Sequence, residues 1–305
     1  MKSIYAVLAV VMLFVAACAT TNINVPAIEG VGESTDLPGK IVWHELLTDK
    51  PQQTQRFYTG LFGWQFEALP DKRINYQLIK HQGKFIGGMI DQTQLPTQAD
   101  ISQWVALFAV TDINLATNKV KESGGTVFTP PTSLGDRGDI AVVADPQGAL
   151  FALLQSRGGE PADVKGAPAT GDFLWDELWT GQTDSAADFY RSIAPYEQET
   201  RTFSAGDSPV IYQILSSNGR VRAGIRDNPF AGAPPMWVNF LRVTDTEELD
   251  EILAKVEGLG GEILVPAVPR PGGGSVALIS GPSGAGIALQ TWADGQTIGD
   301  NKVAK

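Results

Sequence analysis

Residues 41–46, Ile41-Val42-Trp43-His44-Glu45-Leu46, return 132 positions later as Phe173-Leu174-Trp175-Asp176-Glu177-Leu178. Working outward from that pair, Arg56-Phe57-Tyr58 is matched by Asp188-Phe189-Tyr190, and Tyr76-Gln77-Leu78-Ile79 by Tyr212-Gln213-Ile214-Leu215. Gly87-Gly88-Met89-Ile90-Asp91 is matched by Ala223-Gly224-Ile225-Arg226-Asp227, Trp104-Val105 by Trp237-Val238, and Gly124-Gly125 by Gly260-Gly261. Asp145-Pro146-Gln147-Gly148-Ala149 answers to Gly281-Pro282-Ser283-Gly284-Ala285. The offset drifts only from 132 to 136 along the whole length, a register that chance does not keep. The chain therefore reads as two copies of one module, residues 40–156 and 171–293, joined by a Gly/Pro/Ala-rich linker, residues 157–170.

Each copy is itself bipartite. Residues 41–47 alternate as a strand, and residues 51–62 set Phe57, Leu61 and Phe62 at helical spacing, with Pro51 in the first turn and Thr48 or Asp49 ahead as a cap. Residues 64–69, 74–80 and 85–90 read as short strands separated by Asp, Lys and Gly. The order then restarts. A strand over 104–110 precedes a helix over 112–122, with Ile113, Leu115, Ala116 and Val120 on one side and Gly124-Gly125 as the stop. Strands over 126–129, 139–144 and 149–154 complete the copy. The prediction is an α+β chain of four βαβββ units.

The first 18 residues are of a different kind. A basic start, an apolar run from Ile4 to Val15 and Val15-Ala16-Ala17-Cys18 are the parts of a secretory signal, too short for a span of about 20 apolar residues. Cys18 is the only cysteine, so the chain can form no internal disulfide. Its place after small residues resembles the lipobox of bacterial lipoproteins. That resemblance implies a signal peptide over 1–18, lipidation of Cys18, membrane attachment through that anchor, and, with Ala19 following, a periplasm-facing place on the outer membrane. A plain signal peptide, or a short anchor, with an incidental cysteine is the alternative. Residues 19–39 are small, polar and turn-rich and read as a tether, and residues 294–305 as a C-terminal tail. The net charge of -11 argues against nucleic acid as a partner.

The repeat, the Asp145-Pro146-x-Gly148 turn and the Phe57-Tyr58…Phe62-Gly63 helix end together resemble the vicinal oxygen chelate superfamily, which includes glyoxalase I, bleomycin-resistance proteins and extradiol dioxygenases. The resemblance covers both modules. It implies that the four units form two cup-shaped, curved mixed sheets with helices outside, as a monomer or a homodimer. It also implies a divalent metal in the cup, held by four side chains from the first, fourth, fifth and eighth strands of a module. Those positions fall on Trp43, Gly87 or Gly88, Val105 and Ala152, and on Trp175, Ala223 or Gly224, Val238 and Ala288. None supplies a lone pair suited to Zn²⁺, Ni²⁺ or Fe²⁺. Neither metal nor other cofactor is expected. His44, beside the first of these positions, is directed to the opposite face by strand alternation unless a bulge intervenes, and His81 falls at a hairpin tip.

The face that carries Trp43 also carries Glu45 and Leu47, and its counterpart carries Trp175, Glu177 and Trp179. Two readings stand: an indole beside a carboxylate as a recognition pair for a small ligand, or tryptophans filling vacated space. One member each of Tyr76-Gln77 and Tyr212-Gln213 faces the same way. Asn239 and Arg242 lack polar counterparts in the first module, where Ala106 and Ala109 stand, and this asymmetry points to the second module. The expected function is binding of a small organic ligand without a metal. The alternatives are a metal-independent enzyme with Glu45 or Glu177 as general base, a metal-dependent lyase or dioxygenase, and an interaction protein of the envelope. Whether the protein is an enzyme stays open at this point.

Overall fold

The computed structural model describes residues 23–30, 36–71, 75–95, 100–163, 166–205, 208–270 and 273–294. The segment read as a signal peptide, with Cys18 at the expected lipobox, and residues 295–305 lie outside the described residues. Among those described, no helix is long and apolar enough to cross a membrane.

The elements run β1 (Ile41–Thr48), α1 (Pro51–Phe62), β2 (Gln65–Ala68), β3 (Tyr76–His81), β4 (Lys84–Asp91), β5 (Gln103–Ala109), α2 (Ile113–Glu122), β6 (Thr126–Ser133), β7 (Gly138–Ala144) and β8 (Leu150–Ser156). The second copy follows as β9 (Phe173–Thr180), α3 (Thr183–Ile193), β10 (Glu197–Ala205), β11 (Ser208–Ser217), β12 (Arg220–Asp227), β13 (Met236–Val243), α4 (Thr246–Val256), β14 (Glu262–Pro269), β15 (Ser275–Ser280) and β16 (Gly286–Thr291). Local chemistry sets the ends. Pro51 opens α1 and Gly63, left-handed at φ 71°, closes it by returning its N–H to Thr59. The Asp112 carboxylate accepts from Leu115 N–H at the start of α2. Asp145 shapes its turn by accepting from the N–H groups of Gln147 and Ala149, at 3.0 and 2.8 Å.

Each module is one open eight-stranded mixed sheet, ordered β2-β3-β4-β1-β5-β8-β7-β6 and β10-β11-β12-β9-β13-β16-β15-β14. The cups expected from the resemblance are therefore not formed. Antiparallel pairing of β1 with β5, and of β9 with β13, fuses the two units of a module side by side and leaves β2 and β6, or β10 and β14, as free edges. Pro130 and Pro131 in β6, and Pro266 and Pro269 in β14, remove the backbone donors that further pairing would need.

The helices pack on one face of each sheet, and the two modules meet through those faces. One apolar cluster joins Phe108, Val120 and Phe151 to Phe189, Tyr190 and Ile225; a second joins Phe57, Trp64 and Trp104 to Leu241, Val256 and Leu289. Equivalent residues meet across this interface. His44 Nε2 lies 2.9 Å from Asp176 Oδ1, its counterpart in the repeat, and its ring stacks on Phe173 at 3.6 Å. Tyr190 also donates across it to Asp145 at 3.2 Å, and within the second module Asn239 supports Asp176 by donating to it at 2.6 Å. His81, expected at a solvated hairpin tip, is buried and sits 2.5 Å from Asp172.

The stretch read as a tether is not free of the body. Ile23, Val25 and Ile28 are buried against Trp43, Leu47 and Leu107 on the face of the first sheet opposite its helices. Their alternation with Asn24, Pro26 and Ala27 lets the segment cover apolar surface on one side only. Val25 pairs by backbone with Leu134 and Arg137, at 2.9 and 2.8 Å. The linker is pinned as well: Asp163 binds Arg222 and Lys40, and Glu160 accepts from Leu37 N–H.

Candidate functional site

Strand alternation sends Trp43, Glu45 and Leu47 to the helix-free face of the first sheet, where Tyr76 and Leu78 of β3 join them. Glu45 is buried. Its Oε1 accepts from Trp43 Nε1 at 3.0 Å and from Tyr76 Oη at 2.8 Å, while its Oε2 has no hydrogen-bond partner among the described residues. Burial pushes this carboxyl up to about 7, against the opposing pull of the Arg137 guanidinium and the two donors. Arg137 does not pair with it. The guanidinium stacks on Trp43, 3.9 Å from the ring centroid, and its Nε donates to Pro26 O at 2.8 Å.

The second module repeats the carboxylate but neutralises it. Glu177 accepts from Tyr212 Oη at 2.8 Å and from Trp179 Nε1 at 3.0 Å, and the partly buried Arg270 guanidinium donates directly to its Oε1. Burial pushes Glu177 up, yet Arg270 and the hydrogen bonds outweigh it and hold the carboxyl below its usual range. Arg137 lies just ahead of β7 and Arg270 just after β14; at the local offset of 136 Arg270 answers to Leu134, so the two arginines come from different positions of the module.

A cavity of about 1130 Å³ lies in front of Glu45 and draws its wall from both modules. Tyr76, Trp104, Ile23 and Val25 line it from the first, and Trp179, Phe230 and Met236 from the second. Thr129 and Ser283 also line it, and their buried hydroxyls have no partner among the described residues.

The other expected site residues divide clearly. Tyr76 and Tyr212 turn to the carboxylates, whereas Gln77 and Gln213 turn to the helices, bonding Gln55 and Asp184 respectively. Trp175 donates to Tyr212 at 2.8 Å. The asymmetry expected to favour the second module has a structural cause instead. Arg242 donates to Trp292 O, Pro168 O and Asp294, tying the end of β16 to the linker, and Asn239 belongs to the module interface. Arg137, Arg270, Thr129, Ser283 and the 23–28 segment were not foreseen as parts of the site.

Residues 40–153 match the Glyoxalase/Bleomycin resistance protein/Dioxygenase superfamily profile. Over 84% of this chain and 82% of the other, the structure is similar to a Mn(II)-bound glyoxalase from Novosphingobium aromaticivorans, with TM-score 0.57 at 14% identity. It is similar also to 2,2',3-trihydroxybiphenyl 1,2-dioxygenase from Sphingomonas wittichii, with TM-score 0.56 at 17% identity over 88% and 93% of the two chains. The chain has the fold of the vicinal oxygen chelate superfamily. Among curated relatives of this superfamily-like chain, the glyoxylase-named CFP32 of Mycobacterium tuberculosis is 27% identical over 80% of this chain and 91% of its own. The anthracycline biosynthesis protein DnrV of Streptomyces peucetius is 28% identical over 83% and 93%.

The residues present do not fit the divalent metal that this fold commonly holds. No group of three His, Cys, Asp or Glu side chains converges among the described residues. Gly88 pairs directly with Glu45 across β4 and β1, and a Cβ built there would collide with Glu45 Oε2 and Tyr76 Oη. The volume that a fourth-strand ligand needs is filled by the Glu45–Tyr76 pair. Gly224 stands in the same relation to Tyr212. Gly88→Ala is accordingly expected to destabilise the chain by about 1–3 kcal/mol, the range for overpacking a core. Urea titration checks this, and an unchanged midpoint would mean the pair is loosely held.

Proposed function

We propose that this protein binds a small, largely apolar organic molecule in the cavity between its modules and exchanges a proton with it through Glu45, without a metal. The observation that supports this most is the buried Glu45 carboxyl in the cavity wall, with one oxygen unpartnered and a pKa raised to about 7. A carboxyl poised near neutrality serves as base or acid at the same pH. The aromatic wall suits a planar ligand. Glu177, locked to Arg270, is read as a structural copy. The relatives named a glyoxylase and an anthracycline biosynthesis protein are in keeping with chemistry on a small organic substrate. Attachment to the periplasmic side of the outer membrane through lipidated Cys18 remains part of this proposal.

The test uses 1-naphthol, planar and carrying one donor, against naphthalene, which carries none. At pH 8 the expected result is one naphthol per chain, bound about thirty-fold more tightly than naphthalene, the factor for a hydrogen bond of about 2 kcal/mol to a charged group. Glu45→Gln should remove most of that preference. Two equivalents per chain, or a preference that survives the substitution, would sink the assignment to Glu45.

A further inference from the structure

The two modules hold the same carboxylate in two electrostatic states, and each has an arginine nearby that comes from a different position of the module. In the second, Arg270 reaches Glu177. In the first, Arg137 is caught by the N-terminal segment: its Nε donates to Pro26 O, its backbone N–H to Val25 O, and Asn24 bonds the neighbouring Asp136 through both backbone and side chain, at 2.7 and 2.9 Å. The segment is in turn held by burial of Ile23, Val25 and Ile28. Tyr76 and Trp43 also face the Glu45 carboxyl, and both act on it as hydrogen-bond donors.

We infer that Arg137 is a positioning residue for the Glu45 site, and that residues 23–28 act as a clamp withholding its guanidinium from Glu45. Releasing the clamp lets Arg137, stacked on Trp43 beside Glu45, swing onto that carboxyl and pair with it as Arg270 pairs with Glu177 from its own position, converting the working carboxyl into a permanently ionised one. The clamp thus sets whether the first module can exchange protons. This rests on the reading of Glu45 as the working group, and it makes the segment a part of the site rather than a spacer.

The experiment follows the side-chain carboxyl carbons of ¹³C-glutamate-labelled protein through pH, with the Glu45 signal assigned by Glu45→Gln and the Glu177 signal serving as internal control. In the full chain Glu45 is expected to titrate near 7. Val25→Asp/Ile28→Asp, which expels the segment, should bring Glu45 below 4.5, a gain of at least a hundredfold in acidity, with Glu177 unmoved. Adding Arg137→Met to that variant should return the midpoint to 7 or above. Asn24→Ala, a milder lesion that keeps the apolar anchors, should shift the midpoint downward by a smaller amount. If the full chain titrates Glu45 near 7 and the expelled and Asn24 variants do the same, the clamp is refuted while the reading of Glu45 stands. If Glu45 of the full chain titrates at its ordinary value, the reading of Glu45 itself is overturned. A downward shift that persists without Arg137 would assign the effect to solvent entry and would also refute the clamp.

Discussion

Between pH 4.5 and pH 7 the native chain loses about 3 kcal/mol of stability relative to Glu45→Gln. The sign follows from proton uptake. Burial raises the folded-state pKa of Glu45 from its ordinary 4.5 to about 7, so over that interval the folded chain binds a proton that the unfolded chain has released. Protons bound preferentially by the folded state make stability fall as pH rises, by about 1.4 kcal/mol per unit of separation. The contribution is fully present below pH 4.5 and is lost as pH passes through 7. The glutamine variant has no such group, and every other titration is common to both chains and cancels in the difference. Urea unfolding of both proteins at pH 4, 5.5, 7 and 8 checks this, with the gap between them widening to pH 7 and then levelling. A constant gap would show that Glu45 is hydrated and ordinary, and the proposed chemistry would have no poised group to work with.

Arg270→Met is the most damaging single substitution expected at the paired sites, costing about 3–5 kcal/mol at pH 7 because it leaves Glu177 buried and charged without a partner. Removing the arginine near the first carboxylate, Arg137→Met, costs less, about 1–2 kcal/mol, since it forfeits a cation–π contact and a hydrogen bond to a carbonyl. Adding Glu177→Gln to Arg270→Met should restore most of the loss by removing the stranded charge. Denaturation midpoints of the four proteins test the set. Equal costs at the two arginines would mean that the modules share one electrostatic state, and the division into a working and a closed carboxylate would fall.

The repeat made the elements legible. The predicted helices over 51–62 and 112–122 are seen at Pro51–Phe62 and Ile113–Glu122, because apolar spacing, Pro51, Asp112 and the glycines after each helix act locally. The placement of Trp43 and Glu45 on one face, and of His44 on the other, followed from alternation alone. Closure did not. It depends on whether distant edges pair, and the prolines of β6 and β14 bear on that only once those strands are known to be terminal. The electrostatic state of Glu45 was equally hidden, since its cation is 92 residues away in sequence and is held by backbone carbonyls, which leave no mark on residue identity. The packing of residues 23–28, within the stretch read as a tether, was hidden for a related reason. Its composition is that of a linker, and only the apolar face of the first sheet gives Ile23, Val25 and Ile28 somewhere to go.

The two shared apolar clusters carry a consequence for ancestry and assembly. Each half of the chain hides its helices against the other half, and residues at matching positions, such as His44 and Asp176, touch across the pseudo-twofold axis. A lone ancestral module with this surface would have needed a second copy to cover it, so the present chain has the form of a homodimer whose subunits became one polypeptide. Covalent linkage frees such a pair from its dependence on concentration. It also lets the two halves diverge, one carboxylate left without a cation partner and the other locked into an ion pair, which identical subunits encoded by one sequence could not do.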